Sequence, residues 1–414
     1  MRKLEVRLQF GGETVTVGTL AERERRIFFE YAEDFLRSGL QLSPIHLPLR
    51  PGLQEGPPTP FSGLPGVFAD SLPDGWGLLL MDRAFRQRGV SRETITPLDR
   101  LAFLGTRAMG ALTYHPPADP EEGFGAAVEL DEMAEQAERL LAGSAEEVLP
   151  ELLRAGGSPG GARPKVVIGF REQDGAMVSG AGPLPAGFRA MLVKFGARAD
   201  PADAGAVELA YSRMAAAAGI RVPPAGLFST PGGGRYFAAD RFDRPGGERR
   251  HVHTLAGLLH ADFRLPSLDY EAYLRATLHL TRDQTEVVEA FRRMVFNVLA
   301  CNRDDHARNF AFLMEPDGAW RHTPAYDLTF SSGPGGEHTM SVAGEGRAPG
   351  RRHFAELAAT MSLAPRVRDA IIEQVDVAVA GWPAFAADAG VREAALAEEI
   401  EKRLAQIRSA TLAP

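Results

Sequence analysis

Two carboxylates and one amide in the second half of the chain have the spacing that phosphoryl transfer requires. Asp304 is followed five positions later by Asn309, and Asp327 comes eighteen residues after Asn309, just past an apparent strand. In kinase catalytic loops an Asp meets the substrate hydroxyl, and an Asn five residues on holds a metal together with a later Asp. These three side chains therefore predict one site for a metal and a phosphate group.

Two other interpretations of residues 304–309, called here the catalytic loop, are open. Asp, Asn and His are common in polar loops, where they hydrogen-bond to the local backbone without doing chemistry. Asp304, Asp305 and His306 could instead bind metal in a hydrolase, but three adjacent residues aim poorly at one ion. We expect His306 to brace the loop by hydrogen bonding, and we place Asp305 and His306 outside the catalytic set because Asp304 already meets the need for a base.

Residues 156–165, called here the glycine loop, are rich in glycine and proline and precede an apolar strand at 166–170. Because glycine has no side chain, backbone N–H groups in such a loop can approach phosphate oxygens closely. A plain hairpin turn is the alternative, since the segment has neither the Walker pattern nor the usual protein-kinase glycine motif. The candidate nucleotide-binding residues in this loop are Gly157, Ser158, Gly160 and Gly161.

A lysine and a glutamate follow the glycine loop in the order found in kinases. Lys194 lies in an otherwise apolar predicted strand at 188–195, and Glu208 opens a predicted helix fourteen residues later. In kinases a strand lysine reaches the α/β-phosphates and pairs with a helix glutamate. A lysine at the edge of a sheet and a solvated glutamate would give the same pattern, so the sequence leaves both interpretations open.

Composition bounds the class of protein. The chain has 414 residues, of which 44% are hydrophobic and 24% charged, which is ordinary for a globular protein of two or three domains. A net charge of −8 argues against a general nucleic-acid binder. Cys301, the single cysteine, excludes a disulfide within the chain and is expected to be a small core residue. With no apolar leader and no run of 18 apolar residues, we expect a cytoplasmic protein.

Hydrophobic periodicity predicts three units. Alternating residues at 4–10, 13–19 and 26–31 indicate a small antiparallel sheet, followed by a buried helix at 78–88 and a further segment at 108–114. Helical spacing predominates from about residue 255 to the end. The predicted domains are an N-terminal β-rich unit at 1–115, a smaller lobe with the glycine loop at 116–245, and a helical larger lobe with the catalytic loop at 246–414.

Five ordered motifs resemble the HipA family of serine/threonine kinases, the toxin halves of bacterial toxin-antitoxin pairs. They lie in the glycine loop, around Lys194, at 241–244, in the catalytic loop and at 326–328. Segments 68–77 and 104–114 also resemble the N-terminal domain of that family. The resemblance covers nearly the full length of the chain, so it is not confined to a general ATP site.

The resemblance implies an α+β, two-lobed protein-kinase-like fold in which the N-terminal sheet unit joins the smaller lobe and the larger lobe is mainly helical. It also implies ATP and Mg²⁺ as cofactors. The implied roles are Lys194 for the ATP phosphates, the backbones of Asp240 and Phe242 for the adenine edge, Asp304 as catalytic base, and Asn309 and Asp327 for Mg²⁺.

The resemblance further implies partners and regulation. The expected partner is a HipB-like helix-turn-helix antitoxin, which leaves contact with DNA indirect, and no membrane is involved. The expected substrate is a translation factor, typically an aminoacyl-tRNA synthetase such as the glutamyl enzyme, and Ser158 is the expected self-phosphorylation site. A small-molecule phosphotransferase and a catalytically silent antitoxin-binding protein remain alternatives. Asp240 departs from the family's more frequent Glu, and Pro159 follows Ser158, but neither departure touches the chemistry.

Overall fold

Among the residues that the structure describes, three β-sheets divide the chain into three packed units. The structure is a computed structural model, and it describes residues 2–118, 126–145, 148, 150–156, 160–180, 182–197 and 200–413. Strands and helices are mixed throughout, so the predicted α+β class is confirmed. In the part of the chain described, no single helix is long and apolar enough to cross a membrane.

The N-terminal unit is built on an antiparallel five-stranded sheet of order β4-β3-β2-β1-β5. Every second residue of β1, from Leu4 to Phe10, is buried, because side chains alternate between the two faces of a strand. The predicted opening sheet is confirmed, and a strand from Leu112 to His115 joins it. The elements are β1 (Arg2–Phe10), β2 (Glu13–Arg23), β3 (Arg26–Tyr31), α1 (Glu33–Ser38), β4 (Gln54–Glu55), α2 (Gly66–Ala69), α3 (Gly75–Gln87), α4 (Pro97–Leu104) and β5 (Leu112–His115).

The smaller lobe carries a second five-stranded antiparallel sheet of order β7-β6-β8-β10-β9. The strand β8 lies between β6 and β10, so its residues are not at a sheet edge. Its elements are α5 (Leu130–Leu141), α6 (Pro150–Gly156), β6 (Lys165–Arg171), β7 (Ala176–Ser179), β8 (Arg189–Lys194), α7 (Ala204–Ala217), β9 (Ala225–Ser229) and β10 (Arg235–Asp240).

The larger lobe is mainly helical, as predicted, but it also contains a three-stranded sheet of order β11-β12-β13. The strands of this sheet have only three or four residues each, too few for a clear alternating pattern, and the prediction missed them. Cys301 is fully buried, as expected. The elements are β11 (His251–Thr254), α8 (Leu255–Leu259), α9 (Tyr270–Thr281), α10 (Gln284–Leu299), β12 (Ala311–Met314), β13 (Trp320–His322), α11 (Arg351–Thr360), α12 (Pro365–Ala380), α13 (Trp382–Asp388) and α14 (Ala394–Leu412).

The N-terminal unit packs against the smaller lobe, as predicted, and also against the larger lobe. Trp76 of α3 shares an apolar cluster with strands β6 and β8 of the smaller lobe. On the other side, α2 packs on α8 of the larger lobe. Here Asp70 accepts hydrogen bonds from the backbone N–H and the hydroxyl of Thr254, at 2.7 and 2.6 Å, and lies 2.6 Å from Nδ1 of His253. The unit therefore bridges the two lobes.

Candidate active site

A cavity of about 190 Å³ lies where the three units meet. The smaller lobe contributes the described part of the glycine loop and the ends of strands β6, β8 and β10, and the larger lobe contributes the catalytic loop. The N-terminal unit contributes Asp70, Asp74 and Met109. A cleft with apolar walls and a few convergent charged groups is the usual form of a cofactor site.

Lys194 joins the two lobes at the floor of this cavity. Its ammonium group donates hydrogen bonds to Glu208 of α7 and to Asp327 of the larger lobe. Lys194 and Glu208 are buried, which excludes the alternatives of an edge-strand lysine and a solvated glutamate. Burial lowers the pKa of Lys194, but the two carboxylates outweigh burial and raise it above its ordinary value. The predicted lysine and glutamate therefore form a pair, although Glu208 lies in the second turn of α7 and not at its start.

A second lysine, Lys165, was not predicted as a site residue. It is the first residue of β6, is directly opposite Lys194 in the sheet, and is buried. Burial and the charge of Lys194 lower the pKa of Lys165, while Asp327 opposes the shift. The sequence signal that could have identified Lys165 is its position at the boundary between the glycine loop and an apolar strand. The cavity floor thus carries two ammonium groups, which suits a polyanionic ligand.

The glycine loop is described only in part. Gly157 and Ser158 lie outside the described residues, whereas Gly160 and Gly161 line the cavity. Gly161 has φ +100°, and a Cβ there would collide with Nζ of Lys165, so this position requires glycine. However, the N–H of Gly161 donates to the carboxylate of Asp74. In this conformation Gly161 therefore contributes room for a ligand and not a donor.

Asp304 is exposed to solvent and is not among the residues that line the cavity, whereas Asn309 lines it and bonds back to the backbone of Asp304. The side-chain N–H of Asn309 donates to the backbone carbonyl of Asp304 at 2.8 Å, which leaves the amide oxygen of Asn309 available as a ligand. Partial burial of its carboxyl group raises the pKa of Asp304, and Asp327 and Asp305 add to the increase against the opposing charge of His306. A carboxylate with a raised pKa is better matched to work as a general base.

Asp305 anchors the catalytic loop. It is buried and accepts hydrogen bonds from the hydroxyl of Tyr270 at 2.7 Å and the N–H of Thr339 at 2.8 Å, and it lies 2.8 Å from Nδ1 of His338.

His306 does not brace the loop by hydrogen bonding through Nδ1, as was predicted. Its Nδ1 is buried and has no hydrogen-bond partner among the described residues, and the ring lines the cavity.

Asp327 and Asn309 offer oxygen donors that fit Mg²⁺. Mg²⁺ is usually held by one or two protein oxygens together with phosphate and water oxygens, which two such side chains beside a phosphate cavity would provide. Burial raises the pKa of Asp327, but Lys194 and Lys165 outweigh burial and hold the pKa well below its ordinary value. The carboxylate therefore stays charged. Within the described residues, no group of three or more His, Cys, Asp or Glu side chains forms an all-protein metal site.

The predicted adenine edge lies at the junction of the lobes. Phe242 stacks on Tyr326 with ring centres 5.5 Å apart, and both side chains line the cavity. The backbone N–H of Asp240 donates to the carbonyl of Pro224 at 2.9 Å, so the carbonyl of Asp240 is the group left for a base. The side chain of Asp240 accepts a hydrogen bond from Arg189 at 2.9 Å. A role of the Asp240 backbone in binding the base therefore does not depend on whether this residue is Asp or the family's more frequent Glu.

Comparison with known proteins gives one consistent family. The HipA N-terminal domain matches residues 11–115, and the HipA-like C-terminal domain matches residues 157–382. Among solved structures, the HipA, HipB and operator DNA complex of the toxin-antitoxin system of Shewanella oneidensis MR-1 is similar with a TM-score of 0.71 and 17% identity, covering 98% of this chain and 96% of that chain. At that identity the similarity shows the fold.

A second structure, the proinflammatory kinase CtkA of Helicobacter pylori, has a TM-score of 0.39 and 12% identity, covering 54% of this chain and 88% of that one. That similarity is too low to support an argument. No curated protein sequence matches the chain significantly.

Proposed function

The chain belongs to the HipA family, and from its site we propose that it is a kinase that transfers the γ-phosphoryl group of ATP to a serine or threonine hydroxyl of a protein. The observation that carries this proposal is the contact of Lys194 with both Glu208 and Asp327 at the cavity floor. A lysine held between a helix glutamate and a metal-binding aspartate, with an Asp and an Asn five residues apart nearby, is the constellation that phosphoryl transfer uses.

The position of each side chain suggests its role in the reaction. Asp304, which is exposed to solvent, would orient the substrate hydroxyl and accept its proton. Lys194 and Lys165 would neutralise the phosphates from the floor. Asp327 and the amide oxygen of Asn309 would hold Mg²⁺, which when bound offsets the charge that develops on the phosphate oxygens. The stacked pair of Phe242 and Tyr326 would give the base an apolar face.

Transfer from γ-labelled ATP to a protein, with Mg²⁺ present, tests this function. The purified chain should label itself or an added protein mixture, and the Asp304→Asn variant should not. A folded wild-type chain that binds Mg²⁺-ATP without transferring label would support the alternative of a catalytically silent family member. Label recovered only on small molecules would support a small-molecule phosphotransferase.

Ser158 is our proposed site of self-phosphorylation. A phosphate there would add about −1.5 to −2 charges to the glycine loop. It would compete for the cations that hold the ATP phosphates or draw the loop outward, and either effect would weaken nucleotide binding. Intact-mass and peptide mapping after incubation with Mg²⁺-ATP should find the phosphate in the wild type and not in Asp304→Asn. An unmodified Ser158 in an active kinase would exclude this regulation.

The proposed partner is a HipB-like helix-turn-helix antitoxin, because the similar Shewanella structure is a complex of HipA with HipB and operator DNA. In this arrangement the chain would reach DNA only through the antitoxin. The proposed substrate is a translation factor, with an aminoacyl-tRNA synthetase, particularly the glutamyl enzyme, as first candidate. Phosphoproteomics after induced expression, with Asp304→Asn as control, would identify the substrate, and a phosphosite present with both proteins would be discounted.

A further inference from the structure

Asp74 lies where the N-terminal unit, the glycine loop and the catalytic loop meet. Its carboxylate accepts a hydrogen bond from the backbone N–H of Gly161 and a second, at 2.8 Å, from the guanidinium of Arg308. Arg308 also donates to the carbonyl of Leu72 at 2.8 Å. The side chains of Asp74 and Arg308 are each 15% exposed, so water competes little for these bonds. One carboxylate therefore connects all three units.

The backbone beside Asp74 reinforces the same contact. The N–H of Trp76 donates to the carbonyl of Gly161 at 3.0 Å, and its indole N–H donates to the carbonyl of Lys165, also at 3.0 Å. Gly75 has φ +38°, and a Cβ there would lie 2.6 Å from both the carbonyl oxygen of Gly161 and Cα of Ala162. Only glycine lets the two backbones lie this close. Both polar groups of the Gly161 backbone are thus bound by the N-terminal unit.

Arg308 is itself held in place next to a proposed metal ligand. Its backbone carbonyl accepts a hydrogen bond from the hydroxyl of Tyr326 at 2.6 Å, and its guanidinium lies 4.9 Å from the ring centre of Phe263. The following residue is Asn309. Burial raises the pKa of Asp74, but Arg308 and the N–H of Gly161 outweigh burial and lower it below its ordinary value, so the carboxylate remains charged. The Asp74–Arg308 pair therefore ties the glycine loop to a fixed point of the catalytic loop.

We propose that Asp74 is a positioning residue for nucleotide binding: it holds Gly161 above Lys165 and sets the separation of the glycine loop from the catalytic loop. This inference rests on the proposed function and extends it to the N-terminal unit, which would then be a working part of the kinase site. Asp74 would touch neither the reacting atoms nor the metal. Its loss should therefore weaken nucleotide binding more than it slows transfer in the saturated enzyme.

The test compares Asp74→Ala and the milder Asp74→Asn with Asp82→Asn. Asp82 lies in α3, the helix that begins directly after Asp74, and pairs with Arg100 at 2.6 Å away from the cavity, so it is a matched control. Amide hydrogen exchange of residues 160–165 measures directly how firmly this part of the glycine loop is held, and it does not require catalytic activity. Affinity for a fluorescent ATP analogue, together with KM and kcat, reports the consequence.

We expect faster exchange at 160–165 and about tenfold or greater loss of nucleotide affinity in Asp74→Ala, with a smaller change in kcat and no change in Asp82→Asn. In a double-mutant cycle, the effects of Asp74→Ala and Arg308→Gln should be less than additive, because both variants break the Asp74–Arg308 pair while only Asp74→Ala also breaks the bond to Gly161. Should Asp74→Ala fail to fold, Asp74→Asn and Arg308→Lys supply the same comparison.

Unchanged exchange and affinity in the Asp74 variants, or equal effects from Asp82→Asn, would overturn the proposal. Failure of the proposed function looks different. In that case the wild type would not transfer phosphate to a protein, while loop exchange would still show whether Asp74 holds Gly161.

Discussion

Lys194 and Asp327 lie 133 residues apart in the chain and are in direct hydrogen-bond contact between the two lobes. Lys194 comes from the central strand β8 of the smaller lobe, whereas Asp327 follows β13 in the larger lobe and adopts a left-handed backbone, with φ +58°. Few residues other than glycine adopt that conformation unless their surroundings hold them there. The contact therefore sets the distance between the two lobes at the floor of the cavity.

Replacing the proposed base should stop catalysis without unfolding the protein. Because Asp304 is exposed, Asp304→Asn should keep the melting temperature while transfer from γ-labelled ATP falls by about two to four decades. Asp262→Asn, at another loop carboxylate that pairs only loosely with Arg264 at 3.5 Å, is a suitable control. Near-normal transfer by Asp304→Asn would show that another group serves as base.

Substitutions of the two carboxylates of the site should weaken nucleotide binding to different extents. Asp327→Asn should weaken binding of Mg²⁺-ATP more than Asp304→Asn does, because only Asp327 is proposed to touch the metal. Without Mg²⁺, the difference between the two variants should shrink. Titration calorimetry with and without Mg²⁺ measures both effects, and equal losses in the two variants would contradict the separate roles.

Asp243 should be important for stability. It is almost fully buried, accepts hydrogen bonds from Arg241 at 2.6 Å and Arg244 at 2.7 Å, and binds the N–H of Gly110 in the N-terminal unit at 2.9 Å. Removing it leaves two buried guanidinium groups without their carboxylate, which commonly costs about 3–5 kcal/mol. Asp243→Ala should therefore lower the urea midpoint strongly.

The control for Asp243 is Asp240→Ala, which breaks a more exposed pair with Arg189 and should cost less than about 1 kcal/mol. If the two variants had similar midpoints, the buried cluster would not be what joins the N-terminal unit to the lobe junction.

Stability should fall as the solution becomes mildly acidic. Burial lowers the pKa of His251 and of His322 to about 4, whereas each would titrate near 6.5 in the unfolded chain. Between these values the unfolded chain binds more protons, so stability is complete above pH 6.5 and decreases as the pH falls towards 4. Each histidine contributes at most about 1.4 kcal/mol per pH unit.

Urea midpoints at pH 7 and pH 5 measure this decrease. In His251→Phe the urea midpoint should fall less between pH 7 and pH 5 than in the wild type. This holds even if the variant is less stable at pH 7 because it lacks the contact of Nε2 with the carbonyl of Leu42, at 3.1 Å. A midpoint that stays level or rises on acidification would show that these rings are not held neutral by burial.

The sequence by itself determined the local elements and the order of the site residues. Alternation marks β1 and β3, and helical spacing at 270–280, 284–300 and 365–380 predicts α9, α10 and α12 close to their observed bounds. These patterns report which face of one continuous segment is buried. The spacing from Asp304 to Asn309 is likewise a property of one short loop. The predicted role of Ser158 stays a prediction, since Ser158 lies outside the described residues.

Tertiary structure alone decided which distant residues act together. Lys165 becomes part of the site because β6 pairs with β8, and Asp305 becomes an anchor because α9 brings Tyr270 to it. Asp74 meets Gly161 and Arg308 across 87 and 234 residues of chain. No periodicity or spacing encodes such contacts, because they depend on how the three units pack, and that packing is set by many apolar contacts acting together.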